Sequence, residues 1–432
     1  MNDVNFANID NSLFQSVGNQ VAQRCDALSK CSDEPNSLKR TFCSDAMKAA
    51  HRQVRAWMES SSMTCRIDAT SNLIGSHSAE PPGDGKNSPV FMIGSPLDTV
   101  VNAGRFDGSL GVLLGLGVVE VLRQSGIALP FDIDVVGFSE EEGVRFQFPF
   151  IGSLGLSGQF NPGDFARTDD DGVTIREALV GFGCDPDQLT ADSYQRGERK
   201  LIGFLEAHLE QASHLEQTDA PVGVVSAIAG QTRASIVLEG VSGHAGTVPH
   251  HSRRDALAAA AKLILDIEQL GQETEGLFAT VGAISALPGL SNVISNQVSL
   301  LLDLRHENDA VRRGAIKTIE LMIRELKPTR SISGRIHRIE HSPAVPMDGA
   351  LAEYLTAASQ LAQGKSETLV SGAGHDAMVM AKFAPSCMLF VRCRDGISHH
   401  PDEFVAPQDI CVALEVMTRA VIQFSNSFPK VA

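Results

Sequence analysis

At 432 residues the chain is too long for one typical core, so two domains are expected. Its composition, 43% apolar and 20% charged, is that of a soluble globular protein. A formal net charge of −16 speaks against nucleic acid or an anionic membrane as a partner, since both would repel it, and leaves room for a small anion meeting a local arginine. The opening Met1-Asn2-Asp3-Val4 lacks the basic and apolar runs of a signal peptide. The longest charge-free apolar stretch, residues 110–119, is far short of a membrane span. Eight cysteines without a CxxC pair read as free thiols in a reducing compartment, so a cytoplasmic protein is expected.

In chain order, residues 1 to about 62 read as helical, with a candidate helix over 44–59. A short apolar run at 90–95 ends in Gly-Ser, as a buried strand does. Residues 110–123 are apolar on most faces and stop at Gly126, which predicts a helix packed against a sheet. Residues 132–139 form the next strand. Strand, helix and strand at these lengths make a βαβ unit, hence a parallel sheet with a right-handed crossover. Asp98 and Asp107 follow the first strand; Glu140, Glu141 and Glu142 follow the second. Both acidic groups fall at carboxyl ends of parallel strands, where open α/β sheets place their ligands.

A second pattern starts near Ala220. Residues 232–239 predict a strand, 253–270 an amphipathic helix closed by Gly271, and 277–284 and 297–304 two further strands. Val311, Ala315, Ile319, Met322, Ile323 and Leu326 mark another helix, stopped by Pro328, and 334–341 a last strand. The order β-α-β-β-α-β is that of a ferredoxin-like split βαβ unit. It reads as an insertion, because residues 369–391 return to strand-like, Gly-rich, His-bearing sequence. Residues 79–88 and 161–172 read as extended loops.

Carboxylates and histidines recur at the edges of these elements: Asp98, Asp107, Glu141, Glu142, His208 and His399. A hydrolytic two-metal centre needs a carboxylate to bridge the ions, further oxygen and nitrogen ligands, and a non-ligating base for the shared water. Adjacent glutamates serve when one binds metal and its neighbour faces the water. Taken alone, Glu140-Glu141-Glu142 reads as a solvated acidic turn, and a lone His208 as an ordinary partly buried histidine.

The order of the pieces changes that reading. Asp98-Thr99-Val100 with Gly104-Arg105-Phe106-Asp107-Gly108 is followed by Phe138-Ser139-Glu140-Glu141-Glu142-Gly143 and by His208-Leu209-Glu210-Gln211. His244-Ala245-Gly246-Thr247, Asn292-Val293-Ile294, Leu302-Asp303-Leu304-Arg305, Ser371-Gly372-Ala373-Gly374-His375-Asp376-Ala377 and Gly396-Ile397-Ser398-His399 come next. In these motifs the chain resembles the amidohydrolases that include N-carbamoyl-L-amino-acid hydrolase, allantoate amidohydrolase and β-ureidopropionase, relatives of the dinuclear zinc aminopeptidases.

The resemblance implies that Asp107 bridges the metals, that Glu142 and His208 complete one site, and that His399 belongs to the other. In the family that other site also takes a histidine two residues before the first aspartate; here the position is Pro96, whose ring has no donor atom. Asp98 is implied to orient the missing ligand. Glu141 is implied to activate water and then protonate the departing nitrogen, and His244 and Asn292 to stabilise the oxyanion. Arg305 suits a bidentate grip on a substrate carboxylate, with an ion-pairing surface arginine as the other reading, and Gln211, Gln231 and His375 are further candidate substrate contacts. His400 is an extra imidazole beside His399; adjacent residues on a strand would turn it to the opposite face.

The implied fold is α/β: a zinc-aminopeptidase-like catalytic domain of residues 1–215 and 335–432 with a mixed, largely parallel sheet. An α+β, ferredoxin-like lid and dimerisation domain of residues 216–334 interrupts it. The implied cofactor is a divalent metal, zinc or manganese, with one or two ions per chain. The implied partners are a small carboxylate-bearing substrate and a second copy of the chain. Three readings stay open: a metal-dependent amidohydrolase with one firmly held ion, a relative that binds or transforms ligands without hydrolysis, and a dipeptidase.

Overall fold

Apolar sequence without a polar face makes a helix that can only be buried, and residues 109–124 form one. The computed structural model describes residues 9–79, 89–194 and 199–428, so all of the expected loop 79–88 except Ala79 lies outside the described residues. The helices used below are α1 (Asn11–Leu28), α2 (Asp45–Ser60), α3 (Ser109–Gln124), α4 (Ala256–Glu273), α5 (Asp309–Arg330), α6 (Gly349–Gln363) and α7 (Pro407–Ser427). The strands are β1 (Thr64–Ile67), β2 (Leu73–His77), β3 (Pro89–Pro96), β4 (Asp132–Phe138), β5 (Lys200–Leu209), β6 (Val222–Ile228), β7 (Gly230–Glu239), β8 (Phe278–Leu287), β9 (Gln297–His306), β10 (Ser333–Ser342), β11 (Val345–Pro346), β12 (Glu367–Ser371) and β13 (Ser386–Val391). The chain divides into two compact units, Met1–Ser226 with Met347–Leu369 and Gly374–Ala432, and Ala227–Pro346 with Val370–Ala373.

The first unit is built on a mixed sheet in the order β1-β2-β4-β3-β5-β13-β6, with β11 and β12 pairing onto β6. Its centre, β4-β3-β5-β13, is parallel, and the strands flanking it run antiparallel. Every residue of α3 from Ser109 to Leu122 is buried. Leu110, Leu113 and Val119 of α3 share one core with Val17 and Val21 of α1, Leu414 and Met417 of α7, and Phe91 and Ile93 of β3. The helix lies so close to the sheet that a Cβ at Gly111 would fall 2.0 Å from the Ala207 carbonyl oxygen. That contact sets the position of the end of β5, where His208 follows.

The expected helical N-terminal region is two helices separated by irregular chain. The intervening segment carries Arg40, which is 1% exposed. Its guanidinium donates to the carbonyls of Leu97 and Leu28 and to the Ser109 hydroxyl. Those bonds brace both ends of the loop that joins β3 to α3, a role that no helical pattern announces. Residues 161–172 are not wholly extended either: Pro162–Ala166 is a 3₁₀ turn whose Gly163 N–H is capped by the Asn161 side chain.

The second unit follows the order β7-α4-β8-β9-α5-β10, with an antiparallel sheet arranged β10-β7-β9-β8. This is the ferredoxin-like split βαβ arrangement. Ile236, Leu238, Leu300 and Leu302 from the sheet share a core with Ala260, Leu263 and Ile267 of α4 and Ile319 and Ile323 of α5. Pro328 does not stop α5, which runs on to Arg330 and ends at Ser331 with φ 55°. A proline in the last turn forfeits one intrahelical bond, too little to end the helix at once.

The close approach at Gly111 has a measurable consequence. Gly111→Ala is expected to lower unfolding free energy by about 1–3 kcal/mol, as overpacking does. Gly181→Ala, in a helix with nothing within 4 Å of the new Cβ, should be neutral or stabilise by up to about 1 kcal/mol. Urea unfolding of both variants checks this, and equal stabilities would contradict the packing described.

Candidate metal centre

Parallel strands deliver the candidate residues one strand end at a time. Asp98 and Asp107 lie in the loop after β3, Glu140 to Glu142 in the turn after β4, His208 at the end of β5, and His399 in the segment after β13. The four strands are neighbours, so their ends lie within a few side-chain lengths of one another.

Two carboxylates act as clamps. Asp98 Oδ1 accepts the Glu141 N–H and Asp98 Oδ2 the Glu142 N–H, each at 3.1 Å. Asp98 thus orients the Glu141–Glu142 turn rather than any group at position 96. Glu403 Oε1 accepts the backbone N–H groups of Phe106 and Asp107 at 2.8 and 3.0 Å, while Ser398 Oγ donates to its Oε2 at 3.0 Å. Glu403 therefore ties the Asp107 loop to the segment that carries His399. Gly104 makes room for it, since a Cβ there would lie 2.3 Å from the Glu403 carboxyl. Glu403 lies four residues beyond His399, the end of the last family-like motif, and its sequence position alone does not show it reaching back to Asp107.

Asp107, 4% exposed, presents its two oxygens to different histidines. Oδ2 is 3.1 Å from His399 Nε2, which is 3.4 Å from Glu142 Oε1. Oδ1 is 3.2 Å from His208 Nε2 and 3.4 Å from Gln211 Nε2. Ligand atoms of Asp107, Glu142 and His399 all lie within 4.8 Å of one another. This differs from the grouping implied by the motifs, which placed Glu142 with His208. His399, in a left-handed turn with φ 55°, swings back to the Glu142 side. His400 is not on a strand, so alternation does not govern it; it is exposed, and its Nδ1 accepts the Asp402 N–H.

The donor set fits a divalent cation. Two carboxylates and an imidazole converge, and buried Asp107 Oδ2 has His399 Nε2, itself a candidate ligand, 3.1 Å away. Hydrogen bonds to Asp107 and Glu142 push His399 up to about 10. Burial would raise Asp107, but the hydrogen bond from His399 and the charges of His208 and His399 outweigh it and hold it below its usual range. Burial, with the charges of Glu142, Asp376 and Asp98, drives Glu141 well above the ordinary carboxylate range. Burial, with the charges of Glu140 and Glu142, does the same to Asp98 against its two N–H partners. The His375 ring lies tilted against His208 with centroids 4.4 Å apart, and burial holds it well below an ordinary histidine.

The remaining candidates belong to the second unit. His244 and Asn292 are exposed and adjacent, the Ala245 N–H donating to the Asn292 carbonyl at 2.9 Å. Arg305 grips Asp303 with Nε and Nη2 at 2.9 and 3.2 Å, and Nη1 donates to the Gly372 carbonyl at 2.7 Å. Gln231 Nε2 also donates to Asp303, at 2.6 Å. Asp303 is the residue sequence reasoning passed over, although its spacing of two from Arg305 puts both on one face of β9.

Residues 87–423 match the family described as Peptidase family M20/M25/M40. The chain belongs to this family. It is 37% identical to an N-carbamoyl-L-amino-acid amidohydrolase of Pseudomonas sp. (strain NS671), covering 89% of this chain and 93% of that one. It is 36% identical to an allantoate deiminase of Arabidopsis thaliana, covering 96% and 83%. The crystal structure of an amidase of the hydantoinase/carbamoylase family from Burkholderia multivorans has a TM-score of 0.87 at 30% identity, covering 95% of this chain and 98% of that one. The kinship expected from the ordered motifs is the one found, and the M20 family is metal-dependent. Among the described residues no helix is long and apolar enough to cross a membrane.

Because His399 holds a proton up to about pH 10 when no cation is present, a cation must displace that proton. Affinity for Zn²⁺ or Mn²⁺ should therefore rise with pH through neutrality, by about tenfold per unit. Titration calorimetry in buffers of different ionisation enthalpy checks this; binding without proton release would contradict it.

Proposed function

We propose that this M20-family chain is a metal-dependent amidohydrolase that cleaves a linear carbamoyl or amide C–N bond of a small carboxylate-bearing substrate, such as an N-carbamoyl or N-acyl amino acid. The observation that carries the reading is the convergence of Asp107, Glu142 and His399 beside buried Glu141. A divalent ion held by those three, zinc or manganese, would polarise a carbonyl and acidify water.

The protein's own part is proton handling and positioning. Glu141 takes the proton of the attacking water and passes it to the departing nitrogen, and its raised proton affinity suits both halves of that task. Asp98 holds the Glu141 backbone in place for it. His244 and Asn292 are assigned to the developing oxyanion. Asp303 takes the Nε edge of Arg305, so hydrogens at the far end of the guanidinium remain for a substrate carboxylate. Gln211, Gln231 and His375 complete the assigned contacts. In this reading the second unit, Ala227–Pro346 with Val370–Ala373, serves as lid and as the dimer contact. The protein works in the cytoplasm, and its net charge of −16 keeps it from nucleic acid and anionic membrane.

A panel of N-carbamoyl amino acids, allantoate and dipeptides tests this. Glu141→Gln should cut kcat about 10²- to 10⁴-fold on the preferred carbamoyl substrate. Arg305→Lys should raise KM roughly ten- to a hundredfold through loss of the planar fork. Equal, slow turnover by wild type and Glu141→Gln would replace the hydrolase with a binding protein, and preference for dipeptides would make it a peptidase.

A further inference from the structure

Three side chains stand in a row across the sheet of the second unit. Arg305 on β9 lies directly opposite Gln231 on β7 and Phe278 on β8. Residues directly opposite in an antiparallel pair put their side chains on one face, with Cβ atoms about 4.5–5.5 Å apart. The guanidinium is therefore flanked by an amide on one side and a phenyl ring on the other. The amide is already engaged: Gln231 Nε2 donates to Asp303, the carboxylate that also holds Arg305.

Phe278 is not spent on packing. Its chain neighbours Leu277 and Ala279 turn into the core of the unit, which also holds Leu304. Alternation turns Phe278 the other way, and it is 65% exposed. A solitary exposed apolar side chain is ordinary; one set beside a guanidinium pinned by Asp303 and the Gly372 carbonyl is a place for a ligand. A carboxylate on Arg305 brings its α-carbon with it, and the side chain of an N-carbamoyl or N-acyl amino acid branches from that same carbon. Of the two flanks, the Gln231 side is polar and engaged, whereas the Phe278 side is apolar and open. An apolar side chain laid on the ring takes both surfaces out of water, which a hydrogen in its place cannot do.

We infer that Phe278 is a specificity-determining residue that receives the substrate's side chain, and that the substrates are N-carbamoyl or N-acyl amino acids with aromatic or branched aliphatic side chains. The inference rests on the amidohydrolase reading proposed above, and on Arg305 as its carboxylate anchor. It adds which members of that substrate class are taken.

The test is steady-state hydrolysis of N-carbamoyl-L-phenylalanine, N-carbamoyl-L-leucine, N-carbamoylglycine and allantoate by the full chain supplied with Zn²⁺ or Mn²⁺. Wild type should favour the phenylalanine and leucine substrates over the glycine one by roughly ten- to a hundredfold in kcat/KM. Phe278→Ala should cut that preference about tenfold, through KM rather than kcat, as loss of uniform binding does. Phe278→Leu, still apolar, should keep most of the preference for the leucine substrate. Leu321→Ala removes an apolar side chain of similar exposure, 58%, from α5, and should leave the preference as in wild type. An unchanged preference in Phe278→Ala, or an equal loss in Leu321→Ala, would overturn the inference. A wild type that takes N-carbamoylglycine or allantoate best would also overturn it, while leaving the amidohydrolase reading in place. A wild type that hydrolyses none of the four would remove that reading and the subsite with it, an outcome distinguishable from the others.

Discussion

Crowding carboxylates out of water is the constraint on which the first unit is built. Asp98, Asp107, Glu141, Glu206, Asp376 and Glu403 are all buried, and like charges in such surroundings repel far more than in water. Part of the answer is backbone: Asp98, Glu206 and Glu403 accept main-chain N–H groups. Part is protonation: burial pushes Asp376 and Glu403 up to about 7. Asp107 is the exception in this set. It alone is held below its ordinary range, with an imidazole beside each of its oxygens. Positive charge is therefore met at one carboxylate, with the others arranged to keep it there.

The clamps also explain how ligands from four strand ends meet. Asp98 links the end of β3 to the turn after β4, and Glu403 links the β3–α3 loop to the segment after β13. Neither needs to touch a cation to place its ligands. Convergence is consequently a property of the backbone, fixed before any ion arrives, which is the preorganisation that a hydrolytic site requires. Arg40 extends the same scheme, bracing Leu97 and Ser109 on either side of the loop.

Much of this was legible in the sequence because it rests on periodicity and punctuation. The all-apolar run of α3, the helix expected over 44–59, and the strand-helix-strand spacing around Asp98 and Glu140 are local signals with one sensible reading. The pairing of His399 with Glu142 was not legible. It depends on a left-handed residue at 399 and on Glu403 reaching back almost three hundred positions. Asp98 shows the same limit: its place after β3 could be read, but its partners are amides of another strand's turn. Alternation, the right rule for β9, was the wrong rule for His399 and His400, because the chain there turns.

The second unit repeats the logic with the charges exchanged. Asp303 and Arg305 share one face of β9, so their side chains meet without help from any other element. Side-on pairing fixes the plane of the guanidinium and, with the Gly372 carbonyl, its tilt. A lysine at 305 could be neutralised by Asp303 but not oriented by it. Orientation matters here because a chain of net charge −16 repels anions at long range. An anionic ligand must then be held by short, directed donors whose entropy has already been lost in the fold, and a guanidinium pinned by a neighbouring carboxylate is such a donor.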